Sequence, residues 1–166
     1  MRTTGPKLAA TANAHRRNAY RPGHQGGTRP CILVAEDYGV IGMMLYEDLS
    51  EAGFEVSGPF TSSSAALASL DTETPDAAIL DIELHDGPCV ALARTLREKR
   101  IPFLVLTGHN SDPSYDDAFS GAPWLAKPMS YDSVLNTVRT LLRGAHRTRS
   151  KVRSARQLSV QQRAGV

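Results

Sequence analysis

The sequence predicts an α/β domain with a doubly wound, five-stranded parallel sheet and helices on both faces. From residue 31 onward, short apolar runs of strand length alternate five times with longer amphipathic segments. Polar residues directly follow several of the apolar runs, at the sheet edge where folds of this class form their binding crevice. All 17 acidic residues lie between positions 36 and 132. These observations predict one domain at residues 31–143.

The first half of the domain supplies three strands and two helices. Strands are predicted at 31–35, 54–60 and 77–80, because each run is short and apolar. A helix over 40–52 ends at Gly53 and carries one apolar face, made of Ile41, Met44, Leu45 and Leu49. A short helix over 62–70 is opened by a cluster of Ser and Thr residues.

The second half repeats the alternation of strands and helices, but one of its helical segments is only weakly predicted. A helix ends near residue 99 after the turn at 85–88, and a strand covers 103–106. Residues 109–121 are rich in Asp, Ser, Asn, Pro and Gly, so we expect a short or mobile fourth helix there. A last strand at 123–126 leads to a helix from about residue 130. The apolar face of that helix is Val134, Leu135, Val138, Leu141 and Leu142.

Charge divides the chain into three parts. Residues 1–30 carry six basic residues and residues 143–166 carry seven, with no Asp or Glu in either segment. The centre holds six basic residues against 17 acidic ones, a net charge of −11. We therefore expect a disordered basic leader at 1–30 and a disordered basic tail at 144–166, since neither can bury a core.

Other features of the composition narrow the class of protein. Cys31 and Cys89 lack the spacing of a disulfide framework or a zinc site, which suits a reducing cytoplasm. No run of about 18–20 apolar residues is present, so no membrane span is expected. The basic tail has no aromatic residue and no sustained apolar face, so we expect a nucleic-acid partner to be unlikely.

Chemically reactive side chains stand at four strand ends. The first strand ends in Glu36 and Asp37, the third in Asp81, the fourth in Thr107 and the fifth in Lys127. Carboxylates that converge on one crevice repel one another unless a cation holds them, and Mg²⁺ favours such oxygen ligands. A hydroxyl and an ammonium opposite could neutralise a transferred phosphoryl group.

These segments resemble the four signature segments of response-regulator receiver domains, the phosphoacceptors of two-component signalling. The segments are 33–37, 79–81, 106–108 and 127–128, in the same order and spacing. The resemblance covers residues 31–143 and implies a flavodoxin-like strand order of 2-1-3-4-5. The segment 101–108 partly matches an alphaproteobacterial subclass with a Phe-Ala-Thr-Gly type of fourth strand, although Val105 and Leu106 replace its Phe and Ala.

The resemblance also implies residue roles. Asp81 would be the phosphoacceptor, taking its phosphoryl group from a histidine kinase or a histidine phosphotransfer protein. Glu36, Asp37, Asp81 and the backbone carbonyl of Glu83 would hold Mg²⁺. Thr107 would hydrogen-bond the phosphoryl group and Lys127 would pair with it, with a cis Lys127–Pro128 peptide. Such a protein is not an enzyme in the usual sense, because it catalyses only its own aspartyl phosphorylation and dephosphorylation.

Three further positions carry open interpretations. Trp124 lies where receivers place a switch aromatic, or it is a fixed edge residue that covers apolar surface. Glu83 stands two positions after the acceptor and is expected to affect the phosphoryl lifetime. His85 and His109 are loop residues that we expect to be solvated rather than catalytic.

Three functions stay open at this point. The first is a stand-alone phosphorylated receiver, expected to be a monomer, that switches the binding of a partner protein. The second is a pseudo-receiver that binds a partner without phosphorylation. The third is a haloacid-dehalogenase-like phosphatase, although Glu83 stands where that family places a second Asp. A dinucleotide-binding domain is disfavoured, because no GxGxxG follows the first strand.

Overall fold

In the computed structural model, residues 29–108 and 117–163 are described, with the backbone alone for 148–163. The strands found in these residues are β1 Cys31–Ala35, β2 Glu55–Phe60, β3 Ala77–Asp81, β4 Glu83–Leu84, β5 Gly87–Pro88, β6 Phe103–Thr107 and β7 Trp124–Ala126. The α-helices of the described ranges are α1 Gly39–Glu51, α2 Ser63–Ser69, α3 Val90–Glu98 and α4 Tyr131–Arg163. A single turn of 3₁₀ helix covers Asp117–Phe119.

Five of the strands form one parallel sheet in the order β2-β1-β3-β6-β7. The short strands β4 and β5 form a separate antiparallel hairpin after β3. Counting only the strands of the main sheet, the order is the flavodoxin-like 2-1-3-4-5. The predicted fold class is therefore confirmed.

The core is divided into two layers by this sheet. Alternate residues of a strand point to opposite faces, and every residue of β3 is buried. Ala78 and Leu80 pack in the cluster that includes α2, α3 and the 3₁₀ turn. Ala77 and Ile79 pack in the cluster that includes α1 and α4. Because both faces are covered, the central strands carry continuous apolar runs.

The pairing of β1 with β2 is irregular at the end that leads into the crevice. The register shifts between Leu33 and Ala35, and Gly58 in β2 has a φ of +112°. A Cβ atom at Gly58 would lie 2.5 Å from the backbone oxygen of Val34, so only glycine fits there. This close approach lets Ala35 pair with Phe60 at the end of β1.

The inward face of α1 differs from the predicted one. Met44, predicted to pack inward, is 57% exposed, whereas Gly42, Leu45 and Leu49 are buried. A Cβ atom at Gly42 would lie 3.1 Å from Pro59, so the helix approaches β2 closely at this glycine. Gly42 thus lies on the side of α1 that faces β2, and Met44 lies on an exposed side.

The end of α4 and the segment after β3 also differ from the sequence predictions. The sequence predicts a disordered tail from residue 144, whereas the backbone described for residues 144–163 continues α4 to Arg163. The β4–β5 hairpin was not predicted, because two-residue strands leave no periodic signal. The leader at 1–28, His109 and most of the expected fourth-helix segment lie outside the described residues.

Candidate functional site

The end of β1 places two carboxylates at the carboxyl edge of the sheet. The Glu36 side chain is fully buried, and its backbone N–H donates to the Phe60 carbonyl at 2.9 Å. Its Oε1 accepts a hydrogen bond from the Tyr38 backbone N–H at 3.2 Å. Asp37 is half-buried beside it. The irregular β1–β2 pairing thus fixes Glu36 inside the molecule and leaves Asp37 at the crevice.

The end of β3 brings a third carboxylate to the same place. Asp81 is only 8% exposed and pairs in register with Leu106 of β6. Carboxylate oxygens of Glu36, Asp37 and Asp81 all lie within 4.8 Å of one another. The structure therefore brings together the three acidic side chains that the strand ends predicted.

The residue after β7 brings a cation to these carboxylates. The Lys127 backbone N–H donates to the Thr107 carbonyl at 2.7 Å, and the Lys127–Pro128 peptide is cis, as expected. Its Nζ lies 2.5 Å from Oδ2 of Asp81 and 2.6 Å from Oε2 of Glu36. The contact with Asp81 has hydrogen-bond geometry, whereas Glu36 Oε2 makes an ion pair without that alignment.

Burial and pairing shift the ionisation of this cluster. Burial raises the pKa of Glu36, and the nearby Asp81 charge adds to that rise, while Lys127 opposes it. Burial acts to lower the pKa of Lys127, but its close contacts with the Asp81 and Glu36 carboxylates together outweigh burial and raise that pKa. The Lys127 ammonium is therefore held in its charged form against carboxylates that are short of solvent.

A cleft of about 360 Å³ opens over this cluster. Its lining includes Asp37, Asp81, Thr107 and Lys127, together with Glu83 from the hairpin. Thr107 ends β6, half-buried, on the side of Asp81 that faces β7. The cleft thus exposes the predicted acceptor carboxylate between acidic groups and a hydroxyl.

The hairpin after β3 forms one wall of the cleft. Glu83 is exposed and pairs with Pro88 across the hairpin. The Asp86 carboxylate accepts hydrogen bonds from the backbone N–H groups of Ser63 at 2.7 Å and Ser64 at 2.9 Å. The His85 backbone N–H donates to the Thr61 carbonyl at 3.0 Å. The hairpin is therefore tied to the start of α2.

Asp86 is a site-supporting residue that the sequence prediction missed. The turn at 85–88 was predicted, but its Asp86-Gly87 dipeptide, a common hairpin signal, was not used to predict a β-hairpin. His85, expected to be solvated, is 63% exposed, and its Nε2 lies 4.0 Å from Oδ2 of Asp37. The hydrogen bonds to Asp86 lower its pKa, because they favour the charged carboxylate.

Trp124 lies on β7, beside the cleft but outside its lining. It is half-buried against the cluster that includes α2 and α3. Its ring meets that of Phe119 edge to face, with centroids 5.9 Å apart and an interplanar angle of 69°. Trp124 therefore covers apolar surface while standing three residues before Lys127, a geometry that fits either predicted interpretation.

The donor set of the cleft fits a hard divalent cation. Three carboxylates face one ammonium, so the cluster has excess negative charge when all groups are ionised. All its candidate metal ligands are oxygens, and the unaligned Oε2 of Glu36 has spare acceptor capacity.

Of the helices in the described part of the chain, none has both the length and the apolar character to cross a bilayer.

Comparison with known proteins shows what the chain is similar to. The transcriptional regulatory protein PdtaR of Mycobacterium tuberculosis is 28% identical over 138 residues, which are 81% of this chain and 60% of that relative. The chain thus spans about 60% of the length of this relative.

Solved structures show the same fold. A response regulator from Chloroflexus aurantiacus is 30% identical with a TM-score of 0.61, covering 69% of this chain and 98% of that one. A CheY-like receiver domain protein from Methanospirillum hungatei is 23% identical with a TM-score of 0.66, covering 73% and 99%. Residues 32–139 match the response regulator receiver domain family, and the chain belongs to that family.

Proposed function

We propose that this protein accepts a phosphoryl group on Asp81 from a histidine kinase or a histidine phosphotransfer protein, with Mg²⁺, and that this modification switches the binding of a partner. The observation that carries the proposal is the position of Asp81. Its carboxylate reaches the cleft from a fully buried strand, with Glu36 and Asp37 on one side and Lys127 on the other.

Mg²⁺ would be held by Glu36, Asp37, Asp81 and the backbone carbonyl of Glu83. When bound, it supplies positive charge that offsets repulsion between the carboxylates and the incoming phosphoryl oxygens. The clustering of three carboxylates within 4.8 Å supports this assignment. The hydrogen bonds of the hairpin support the role of Glu83, because they hold that backbone segment at the cleft wall.

In the transfer itself, an Asp81 oxygen attacks the phosphorus of a phosphohistidine. A new O–P bond forms, the P–N bond breaks, and its electron pair stays on the imidazole nitrogen of the donor. Lys127, already in contact with Asp81, would neutralise one phosphoryl oxygen, and the Thr107 hydroxyl at the cleft would donate a hydrogen bond to another. The chain would thus act on itself rather than turn over a separate substrate.

An exposed apolar surface next to the cleft supports a protein as phosphodonor. Tyr38 directly follows Asp37 and is 63% exposed. The first turns of α1 add further exposed apolar side chains, namely Val40, Met43, Met44 and Tyr46. Apolar side chains exposed in this way are typical of protein contacts, and this group begins directly after Asp37, which lines the cleft.

Intact-mass spectrometry after incubation with acetyl phosphate tests the proposal. With Mg²⁺ we expect the wild-type chain to gain the mass of one phosphoryl group, and we expect Asp81→Asn or an excess of chelator to abolish the gain. Asp76→Asn is a matched control, since Asp76 lies at the opposite end of β3 and bonds the backbone of Cys31.

The time of sampling matters, because aspartyl phosphates hydrolyse. Samples quenched at several early times would capture a short-lived adduct. A wild-type chain that binds Mg²⁺ in calorimetry but never gains mass at any time point would contradict phosphorylation and favour the pseudo-receiver.

A further inference from the structure

Helix α4 continues well beyond the domain that it helps to build. Its apolar face packs on the sheet through Val138 and Leu142, which are fully or almost fully buried. The backbone stays helical for 21 more residues, to Arg163, a length of about 30 Å at 1.5 Å per residue. Among the residues whose side chains the structure describes, Leu142 is the last of α4 in the core clusters. The rest of the helix, residues 143–163, is called the extension.

The sequence of this extension is strongly basic. It contains seven Arg or Lys residues and no Asp or Glu. The sequence alone favours a disordered tail, in which such charges are spread over many conformations. The helical backbone instead places these basic residues along one continuous helix.

Charge repulsion makes this helix a poor candidate for standing alone. Arg143 and Arg147 are four residues apart, and so are Arg149 and Arg153. Like charges at this spacing are neighbours on a helix and destabilise it. Since no acidic residue lies in the extension to offset them, a polyanion is the ligand that would stabilise the helix most.

We propose that residues 143–163 of α4 bind the phosphate backbone of duplex DNA. The major groove of B-form DNA admits an α-helix, whereas that of an RNA duplex is deep and narrow. About 30 Å of helix is close to one turn of the duplex, so several cations can reach phosphates together. The extension contains no Phe, Trp or Tyr, which disfavours stacking on single strands. This absence made a nucleic-acid partner unlikely from the sequence, but it does not count against contacts with the phosphates of a duplex.

The sequence of the extension argues against two other anions. Binding to an anionic membrane requires a continuous apolar face opposite the basic one. The apolar residues of the extension are instead scattered along its sequence, as are Ala145, Val152 and Leu158. The domain itself is acidic, with a net charge of −11 over residues 31–142. Its carboxylates are however dispersed over a folded surface and lack the regular phosphate spacing of a duplex.

Fluorescence anisotropy of a labelled DNA duplex of about 30 base pairs, long enough to hold the whole extension, tests the proposal with the full chain. A helix variant replaces five cations with glutamine, whose helix propensity is close to that of arginine and lysine. It carries Arg147→Gln, Arg149→Gln, Lys151→Gln, Arg153→Gln and Arg156→Gln. Circular dichroism checks that the helix content is kept.

The basic leader offers a control with the same loss of charge. The leader variant carries Arg2→Gln, Arg16→Gln, Arg17→Gln, Arg21→Gln and Arg29→Gln. We expect the helix variant to lose at least about tenfold in affinity at low salt, and its slope of log affinity against log salt to fall by about 0.9 for each phosphate that is no longer neutralised. The leader variant should retain most of the wild-type affinity.

Several outcomes would overturn the proposal. Equal losses in the two variants would show attraction by net charge rather than by the helix. Tighter binding of the wild-type chain to an RNA duplex, or to phosphatidylserine vesicles at matched charge, would assign the helix to another ligand. Helix substitutions that change self-association in sedimentation, but not DNA binding, would place the helix on a second copy. The proposal does not depend on Asp81, so its failure would leave the acetyl phosphate result unaffected.

Discussion

The two loops that carry the acidic residues of the cleft are built in opposite ways. The loop after β1 buries its charge, because Glu36 is fully enclosed and in contact with Lys127. The hairpin after β3 exposes Glu83, His85 and Asp86 and keeps its shape through hydrogen bonds to the start of α2. The loop after β1 therefore contributes a buried charge to the cleft, and the hairpin after β3 holds the backbone of Glu83 in position.

The ionisation of the two loops reflects the same difference. Burial raises the pKa of Glu36, whereas backbone N–H groups lower the pKa of Asp86. A carboxylate that is deprived of water is destabilised and ready to accept a cation, while a carboxylate that is satisfied by amides serves as a stable anchor. Substitutions in the two loops should therefore fail in different ways.

Replacement of Lys127, whose ammonium lies at the cleft, should have the largest effect on stability. In Lys127→Met, Glu36 and Asp81 lose the ammonium that contacts both of them. We expect the Mg²⁺-free protein to lose roughly 3 kcal/mol of unfolding free energy, as is typical when one partner of a buried ion pair is removed. Added Mg²⁺ should restore much of this loss, which urea unfolding with Mg²⁺ and with chelator would measure.

The matched control for this variant is Lys99→Met. Lys99 is exposed after α3, and its Nζ makes a long contact of 3.4 Å with the Leu70 carbonyl. If Lys127→Met were no less stable than Lys99→Met, the loop after β1 would not depend on the Lys127 ammonium. The proposed difference between the two loops would then be wrong.

Release of the hairpin should have an intermediate effect and should act on metal binding. Asp86→Ala leaves the Ser63 and Ser64 N–H groups without this acceptor and frees the segment that carries Glu83. We expect Mg²⁺ affinity to fall about tenfold, the lower range for loss of an outer-shell partner. Isothermal titration calorimetry would measure it, and Asp86→Asn should rescue part of the affinity because its amide oxygen still accepts one bond.

Asp71→Ala serves as the control for the hairpin, since it removes an exposed acidic residue just after α2. An unchanged Mg²⁺ affinity in Asp86→Ala would mean that the hairpin holds its shape without this anchor. It would also remove the support for a Glu83 carbonyl ligand.

The dependence of stability on pH should show the smallest effect. Between pH 4.5 and the raised pKa of Glu36, the folded state binds more protons than the unfolded state. Stability contributed by this group therefore rises as the pH falls through that window. We expect the Mg²⁺-free wild type to gain unfolding free energy relative to Glu36→Gln as the pH falls from 7 to 4.5, measured by urea unfolding at each pH.

Asp86 should behave in the opposite sense. Its lowered pKa gives stability that is fully present above pH 3.8 and is lost as the pH falls through the folded value.

The Glu36 prediction has its own control. A gain in stability between pH 7 and pH 4.5 that also occurs in Glu36→Gln would assign that gain to another group.

Most of the fold could be predicted because its signals are local. The strands of the main sheet are short apolar runs, and the residues after them stand at one edge by the geometry of parallel strands. Glu36, Asp81 and Lys127 therefore converge as predicted. The predicted roles of these residues in phosphoryl transfer stay predictions until the adduct is measured.

The features that could not be predicted depend on contacts between distant segments. Met44 fits an apolar helix face in the sequence, but the approach of Gly42 to Pro59 decides which side of α1 turns inward. The anchor role of Asp86 depends on the position of α2, 22 residues or more away along the chain. The apolar period of α4 stops at Leu142, so periodicity had no means of revealing the helix beyond it.

Trp124 gives this protein a built-in optical probe. It is the one tryptophan in the chain, half-buried and held edge to face against Phe119. Indole emission would therefore come from a single known point, three residues before the lysine of the cleft. Its wavelength and its quenching would report movement of β7 in real time, in the unlabelled protein and without any change to the sequence.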